Sequence, residues 1–107
     1  HVAGDLKIDG TINGVKELWG TITSAGTISN AGSGGWTVAK TAIGKYKLTF
    51  TSPFSGIPVA IVSSNDANQA RIINTQSVTA NDVVVILRDA NGAFEDSSFS
   101  FIVKGSV

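Results

Sequence analysis

The residues best suited to chemistry in this 107-residue chain are its carboxylates. Paired carboxylates can cleave a glycosidic bond, because one can protonate the leaving oxygen while the other acts as a nucleophile or a base. The candidates for such a pair are Asp66, Asp82, Asp89, Glu95 and Asp96. All but Asp82 fall in predicted loops, where acids are usually only solvated. Polysaccharide hydrolysis is therefore kept as an alternative, and no catalytic residue is predicted.

The sequence has few residues that could form a nucleophilic catalytic site or a metal site. His1 is the single histidine, and the sequence has no cysteine. A Ser–His nucleophile needs a histidine base, and a zinc site needs histidine or cysteine ligands. Oxygen ligands do cluster at Asn65, Asp66 and Asn68, but without the acidic density of a good calcium site. The sequence predicts neither a metal nor a cofactor.

Binding of a sugar is better supported than catalysis. Sugars stack on exposed aromatic rings and form hydrogen bonds with amides and carboxylates. Such side chains concentrate in segments 64–71 and 89–97. The candidate ligand-binding residues are Asn65, Asp66, Asn68, Gln69, Arg71, Asn91, Phe94 and Asp96. The alternative is that these residues only form turns.

Composition narrows the class of protein and its partners. Eight basic residues balance eight acidic ones, which argues against nucleic acid as a partner. The longest apolar runs, 58–62 and 83–87, are far shorter than the ~20 residues that cross a bilayer, so no membrane insertion is expected. Small and β-prone residues dominate, with 12 glycines and only 15% charged residues. This composition predicts an all-β fold.

Strand-like segments follow one another at short, even spacing after residue 35. The clearest covers Lys45–Phe50, where apolar and polar residues alternate as in a half-buried strand. The predicted strands are 36–40, 45–50, 57–63, 70–78, 82–88 and 98–104. This spacing favours an antiparallel β-sandwich or jelly roll. Runs 58–62 and 83–87 are apolar on both faces, so each needs cover from another sheet or another copy of the chain.

The first third of the chain has a different pattern. Gly-Thr-Ile occurs at Gly10, Gly20 and Gly26, between short apolar pairs and turn signals. Units this short cannot bury their own apolar residues, so they need partners. The sequence predicts a β-structured collar over 1–31, a flexible glycine-rich joint at 32–35 and a sandwich domain over 36–107. Trp19 and Trp36 flank this joint, which favours packing over sugar stacking.

A longer-range pattern of core aromatics, glycines and prolines runs through the second part of the chain. It consists of Gly44-x-Tyr46-x-x-x-Phe50, Pro53-Phe54, Pro58-Val59, Thr79 ahead of an apolar strand, and Phe99-x-Phe101-x-x-x-Gly105. It resembles the C-terminal head domains of bacteriophage tail fibres and tailspikes, which are trimeric sandwiches similar to the complement-type and tumour-necrosis-factor-like jelly roll. The likeness covers about 36–107. H-type lectins and bacterial surface jelly rolls share the pattern loosely.

This resemblance implies a homotrimer at the extracellular tip of a virion tail fibre. Such a head would recognise a host-cell polysaccharide or protein receptor, or would only trimerise and cap the fibre. Since the chain begins at His1 and lacks methionine, we expect it to be the C-terminal piece of a longer protein. The residues predicted for the trimer interface are Leu6, Ile8, Ile12, Leu18, Trp19, Ile22, Ile28, Val62 and Val85.

Overall fold

The protein folds as two antiparallel β-sheets packed against each other. The computed structural model describes residues 11–12 and 14–107. Its strands are β1 (Thr11–Ile12), β2 (Val15–Ile22), β3 (Ile28–Asn30), β4 (Trp36–Ala42), β5 (Lys45–Phe50), β6 (Val59–Ser64), β7 (Arg71–Val78), β8 (Asp82–Asp89) and β9 (Phe99–Ser106). The first sheet has the order β1-β2-β9-β6, with β3 also on β2, and the second has the order β4-β5-β8-β7. The predicted all-β sandwich is confirmed.

The predicted alternation accounts for the core between the sheets. The inward residues are Tyr46, Leu48 and Phe50 of β5, and Phe99, Phe101 and Val103 of β9, all buried. The rings of Tyr46 and Phe99 meet edge to face with centroids 5.1 Å apart. Trp36 and Phe101 meet in the same way at 4.8 Å. Such contacts add to the gain from burying the rings, so the aromatics join the two sheets.

The two doubly apolar runs have different surroundings. Strand β8 lies between β5 and β7, and even its outward-facing Ile86 is buried, as predicted for an inner strand. Strand β6 lies at the edge of the first sheet. Its inner residue Val62 packs against the core, whereas Val59 and Ile61 are exposed on the outer face. The cover predicted for the outer face of β6 is therefore missing in the part of the chain that the structure describes.

Residues 15–30, predicted as part of a separate collar, belong to the sandwich. Strand β2 pairs with β9 along its whole length, from Val15 opposite Ser106 to Ile22 opposite Phe99. Alternate residues of β2, including Leu18, point into the common core. A boundary at residue 31 would therefore remove part of one sheet.

The described part of the chain contains no helix with the length and apolar character needed to span a membrane.

The glycine-rich joint is a packed turn instead of a free linker. Gly32 has a positive φ of 53°, and a Cβ there would lie 2.3 Å from the Trp19 carbonyl oxygen. Ser33 Oγ accepts the backbone N–H of Trp19 at 2.9 Å. The indole N–H of buried Trp36 is shared between the carbonyl oxygens of Trp19 and Ala31, each 3.2 Å away. Close approach to β2 explains why only glycine fits at position 32.

Candidate functional site

Four connections meet at one end of the sandwich, which we call the loop end: residues 23–27, 43–44, 65–70 and 90–98. The Tyr46 hydroxyl donates to the carbonyl oxygen of Ser24 at 2.6 Å. The backbone N–H of Asn65 donates to the carbonyl oxygen of Ser98 at 2.9 Å. The fold thus brings together both segments that the sequence singled out for binding.

The side chains of Asp66, in loop 65–70, and Arg71, at the start of β7, form their contacts within this loop. Asp66 accepts the backbone N–H groups of Asn68 and Gln69 at 3.0 and 3.2 Å. Its other oxygen lies 3.1 Å from the guanidinium of Arg71, whose side chain is only 7% exposed. The Asn68 N–H is the main reason that the pKa of Asp66 is lowered, and Gln69 and Arg71 act in the same direction. These contacts are those of an ordered turn.

The other polar candidates of this loop differ in how freely they face solvent. The side-chain amide of Asn65 donates to Ser100 Oγ at 2.8 Å. The Gln69 side-chain oxygen accepts from Arg71 at 3.0 Å. Asn68 is exposed. Asn68 is therefore the member of this group best placed to meet a ligand from solvent.

Asp96 ties loop 90–98 to the hairpin between β4 and β5. Its carboxylate pairs with Lys40 Nζ at 2.6 Å and accepts the Gly44 N–H at 2.8 Å. Burial raises the pKa of Asp96, but the hydrogen bonds from Lys40 and Gly44 outweigh it and hold the pKa below its ordinary value. Burial, and then the charge of Asp96, raises the pKa of Tyr46 to about 12. A glycosidase acid needs a raised carboxyl pKa, the opposite of the shift at Asp96.

Asn91 and Phe94 lie in the same loop. Asp89 accepts the backbone N–H groups of Asn91 and Ala93 at 2.9 and 3.0 Å, which shapes the turn and leaves Asn91 exposed. Phe94 is 39% exposed, but cations lie over its ring. The Arg88 Cζ is 4.1 Å from the ring centroid and Lys45 Nζ is 5.1 Å away. The aromatic candidate for sugar stacking is thus the centre of a basic cluster.

A group of exposed apolar side chains covers the outer face of the first sheet. Ile102 lies opposite both Ile61 and Trp19 in the strand register, and Val59 lies one row along. These residues, which we call the apolar face, are Val59, Ile61, Ile102 and Trp19, with exposed fractions of 67%, 63%, 46% and 44%. Ile61 and Ile102 both line a shallow depression of about 110 Å³. Contiguous exposed apolar surface of this kind commonly marks an interaction site.

The residues predicted for the trimer interface lie in several environments. Leu18, Ile22 and Val85 are in the core of the single chain, and Val62 packs against that core, so none of these presents its side chain to a partner. Trp19 and Ile28 are exposed. Leu6 and Ile8 lie outside the described residues, as does the side chain of Ile12.

The sequence reasoning missed Ile61, Ile102 and Val59 as exposed residues. A signal for each was present. Ile102 is the apolar exception among the outward residues of β9, between Ser100 and Lys104. Val59 and Ile61 occupy the second apolar face of run 58–62, whose need for cover was noted.

Other features of the described residues give weaker indications of a functional site. No three carboxylate, histidine or cysteine side chains converge there as a possible metal site. An open cavity of about 230 Å³ lies beside Gly34 and Ser52. Lys16 at its rim donates to the Ser52 carbonyl oxygen at 2.7 Å and lies over the Phe54 ring. None of the ligand-binding residues predicted from the sequence lines this cavity.

One solved structure supports the fold. No protein-family model matches the sequence, and no curated protein matches it significantly. Among solved structures, the phiAB6 tailspike, in complex with three-repeated oligosaccharides of Acinetobacter baumannii surface polysaccharide, aligns with a TM-score of 0.57 at 16% identity. The alignment covers 84% of this chain and 20% of the tailspike chain. The Pseudomonas phage phi297 tailspike aligns with a TM-score of 0.45 at 16% identity, covering 87% of this chain and 15% of that one. This chain is similar in fold to a region of the phiAB6 tailspike and spans about a fifth of its length.

Proposed function

We propose that this chain is a β-sandwich module of a phage tail fibre or tailspike, which assembles as a homotrimer on the virion and contributes to recognition of a host-surface polysaccharide. The fold is similar to part of a tailspike that binds oligosaccharides of a bacterial surface polysaccharide. The chain acts by binding, without catalysis or a cofactor. The apolar face is the observation that carries the assembly part of the proposal.

Burial of the apolar face requires another surface of matching chemistry. Its central row runs Trp19–Ile102–Ile61 across three strands, and the next row runs Glu17–Lys104–Val59. Each copy therefore presents apolar side chains beside one charge of each sign. Copies arranged around an axis can bury the apolar row while Glu17 of one faces Lys104 of the next. A second copy of this chain thus fits the face in both hydrophobicity and charge.

The mass of the particle in solution tests the assembly. Native mass spectrometry of the full chain is expected to show three copies. Ile102→Lys is expected to weaken association by at least about tenfold, because it places a charge in the centre of the buried row. Ile72→Lys is the matched control, since Ile72 is 48% exposed against 46% for Ile102 but lies on the outer face of the other sheet. A monomeric wild type, or equal weakening by both variants, contradicts the proposed interface.

A second candidate function is a trimerisation cap that leaves recognition to another part of the fibre. It is favoured by the internal engagement of Asp66, Arg71 and Asp96, whose contacts order the loops. A glycan array carrying bacterial surface polysaccharides, probed with the wild-type trimer, separates the two. Saturable binding to a defined glycan supports recognition, whereas a trimer that binds none of them supports the cap.

A further inference from the structure

We propose that Lys45, Arg88 and Phe94 form an anion-binding subsite on the outer face of the second sheet, suited to a sugar that carries a carboxylate or phosphate group. This inference rests on the proposed function, which supplies the polysaccharide partner. It also gives a role to Phe94, whose ring is in contact with Lys45 and Arg88 and is therefore not free to stack on a sugar.

The guanidinium of Arg88 is held in place from two sides. Its Cζ lies 4.1 Å from the centroid of the Phe94 ring, and a backbone bridge joins Arg88 to Phe94. Its Nη1 also donates to the Gly92 carbonyl oxygen at 3.1 Å. A side chain ordered before binding loses less conformational entropy when a ligand arrives. Arg88 is therefore preorganised, with further N–H donors left for an anion.

The two cations of the cluster lack an anionic partner in the described part of the chain. The ion pairs there are Lys40–Asp96, Lys47–Asp82 and Arg71–Asp66, so Lys45 and Arg88 take part in none. Asp89, next to Arg88 in sequence, accepts two backbone N–H groups of its own turn. Lys45 and Arg88 therefore share the Phe94 ring without a carboxylate partner among residues 14–107, which favours an anion between them.

The residues beside the cluster suit a sugar better than a bare ion. Ile72 lies opposite Arg88 in the register and is exposed, which gives an apolar ledge for the C–H face of a sugar ring. Asn74 lies opposite Ile86, which in turn is opposite Lys45, and is also exposed. Its side-chain amide can form a hydrogen bond with a sugar hydroxyl. Together these residues offer an anion site, an apolar surface and a polar group.

Three sugars that differ only at C6 test the subsite: glucose, glucuronic acid and glucose 6-phosphate. In an NMR titration of the full chain, at least one acidic sugar is expected to shift the backbone amide signals of residues 45 and 88–94. Glucose is expected to bind at least about tenfold more weakly, as loss of a charge-assisted contact implies. A response to glucuronic acid assigns the site to acidic sugars, and one to glucose 6-phosphate alone assigns it to phosphate. Equal binding of all three, or no shift at these residues, overturns the proposal.

Variants of the basic residues give an independent measure. Arg88→Gln and Lys45→Gln are each expected to weaken binding of the responding sugar by about fivefold to tenfold. Lys47→Gln is the control, because Lys47 lies on the same face of β5 but pairs with Asp82 at 3.6 Å. Lys45→Gln changes a partly exposed side chain and keeps the test interpretable if Arg88→Gln unfolds. Wild-type affinity in Lys45→Gln, or an equal loss in Lys47→Gln, rules the subsite out.

The subsite and the proposed function fail in different ways. A glycan array that shows binding unaffected by Lys45→Gln removes the subsite and leaves polysaccharide recognition standing. Wild-type chain that binds no glycan on the array, while still binding glucuronic acid or glucose 6-phosphate, keeps the anion site but removes its proposed role in recognition.

Discussion

The outer faces of the two sheets differ in chemistry although their inner faces share one core. The first sheet presents the apolar row Trp19–Ile102–Ile61 to solvent. The second presents charged and polar residues around Lys45, Lys47 and Arg88. Apolar surface is best suited to permanent burial against another copy, whereas a charged surface is suited to a ligand that comes and goes. This difference underlies our proposals that copies of the chain associate through the first face and that the second face binds an acidic sugar.

The strongest test of this comparison contrasts the shared core with the apolar face. Val85→Asp is expected to cost about 4 kcal/mol or more of unfolding free energy, because it buries a charge in the core. Val59→Asp makes the same change at an exposed position and is expected to alter folding by less than about 1 kcal/mol while weakening association. Chemical denaturation and native mass spectrometry measure the two effects. If Val85→Asp folds normally, Val85 is not part of a common core.

A second test concerns the turn that supports Trp19 on the apolar face. Gly32→Ala is expected to cost about 2–3 kcal/mol, because a strained φ is combined with a clash against the Trp19 backbone. Gly34→Ala is the matched control, since Gly34 also has a positive φ of 68° but a Cβ there meets no atom within 4 Å. It is expected to cost only about 1 kcal/mol. Thermal unfolding of both variants measures the difference, and equal losses would contradict the packed turn.

A third test is the pH dependence of the loop end. The lowered pKa of Asp96 means that its ion pair with Lys40 stabilises the fold above the unfolded-state pKa of about 3.9. That contribution is lost as the pH falls through the lower folded-state pKa. Asp96→Asn is expected to be less stable by at most about 1 kcal/mol at neutral pH, with the difference shrinking below about pH 4.

Glu95→Gln, an exposed neighbour, is the control for this pH dependence. Denaturation curves at several pH values measure both variants. A difference between wild type and Asp96→Asn that persists unchanged into acid would mean that the effect of the substitution is not electrostatic.

The smallest expected effect comes from salt, which acts differently on the two faces. Raising ionic strength shortens the Debye length from about 10 Å at 0.1 M to about 3 Å at 1 M. Binding of an acidic sugar at Lys45 and Arg88 is expected to weaken a few-fold. Association through the apolar face is expected to change little, and to strengthen in sulfate. Titrations and sedimentation at matched salt concentrations measure both, and a parallel weakening of both would remove the contrast.

Much of the sandwich could be read from sequence because its signals are local. The alternation in Lys45–Phe50 and in the last strand predicts which residues point inward, and the structure buries them. The apolar pattern of 83–87 likewise predicts an inner strand. The N-terminal region could not be read in this way. Its strand β2 pairs with β9, which lies some 80 residues further along the chain. No local sequence pattern predicts a pairing over that distance.

The candidate site was predictable only in part. Segments 64–71 and 89–97 were identified from their polar residues. Several of those side chains are engaged within the protein instead of facing a ligand. Asp66 and Arg71 pair with each other, Asp96 pairs with Lys40, and Phe94 carries cations. The contacts of Asp96 with Lys40 and of Phe94 with Lys45 depend on which strands end at the same end of the sandwich, which is a property of the topology.

The sequence alone determined the fold class and the inward set of strand residues, since a period of two fixes which side chains share a face. Only the tertiary structure decided which apolar residues remain outside. Leu18, Ile22 and Val85 are buried because β2 and β8 pair within the two sheets. Ile61 and Ile102 are exposed because nothing in the described chain covers the outer face of the first sheet. The side-chain period shows which residues share a face, but whether that face is covered depends on the arrangement of strands from distant parts of the chain.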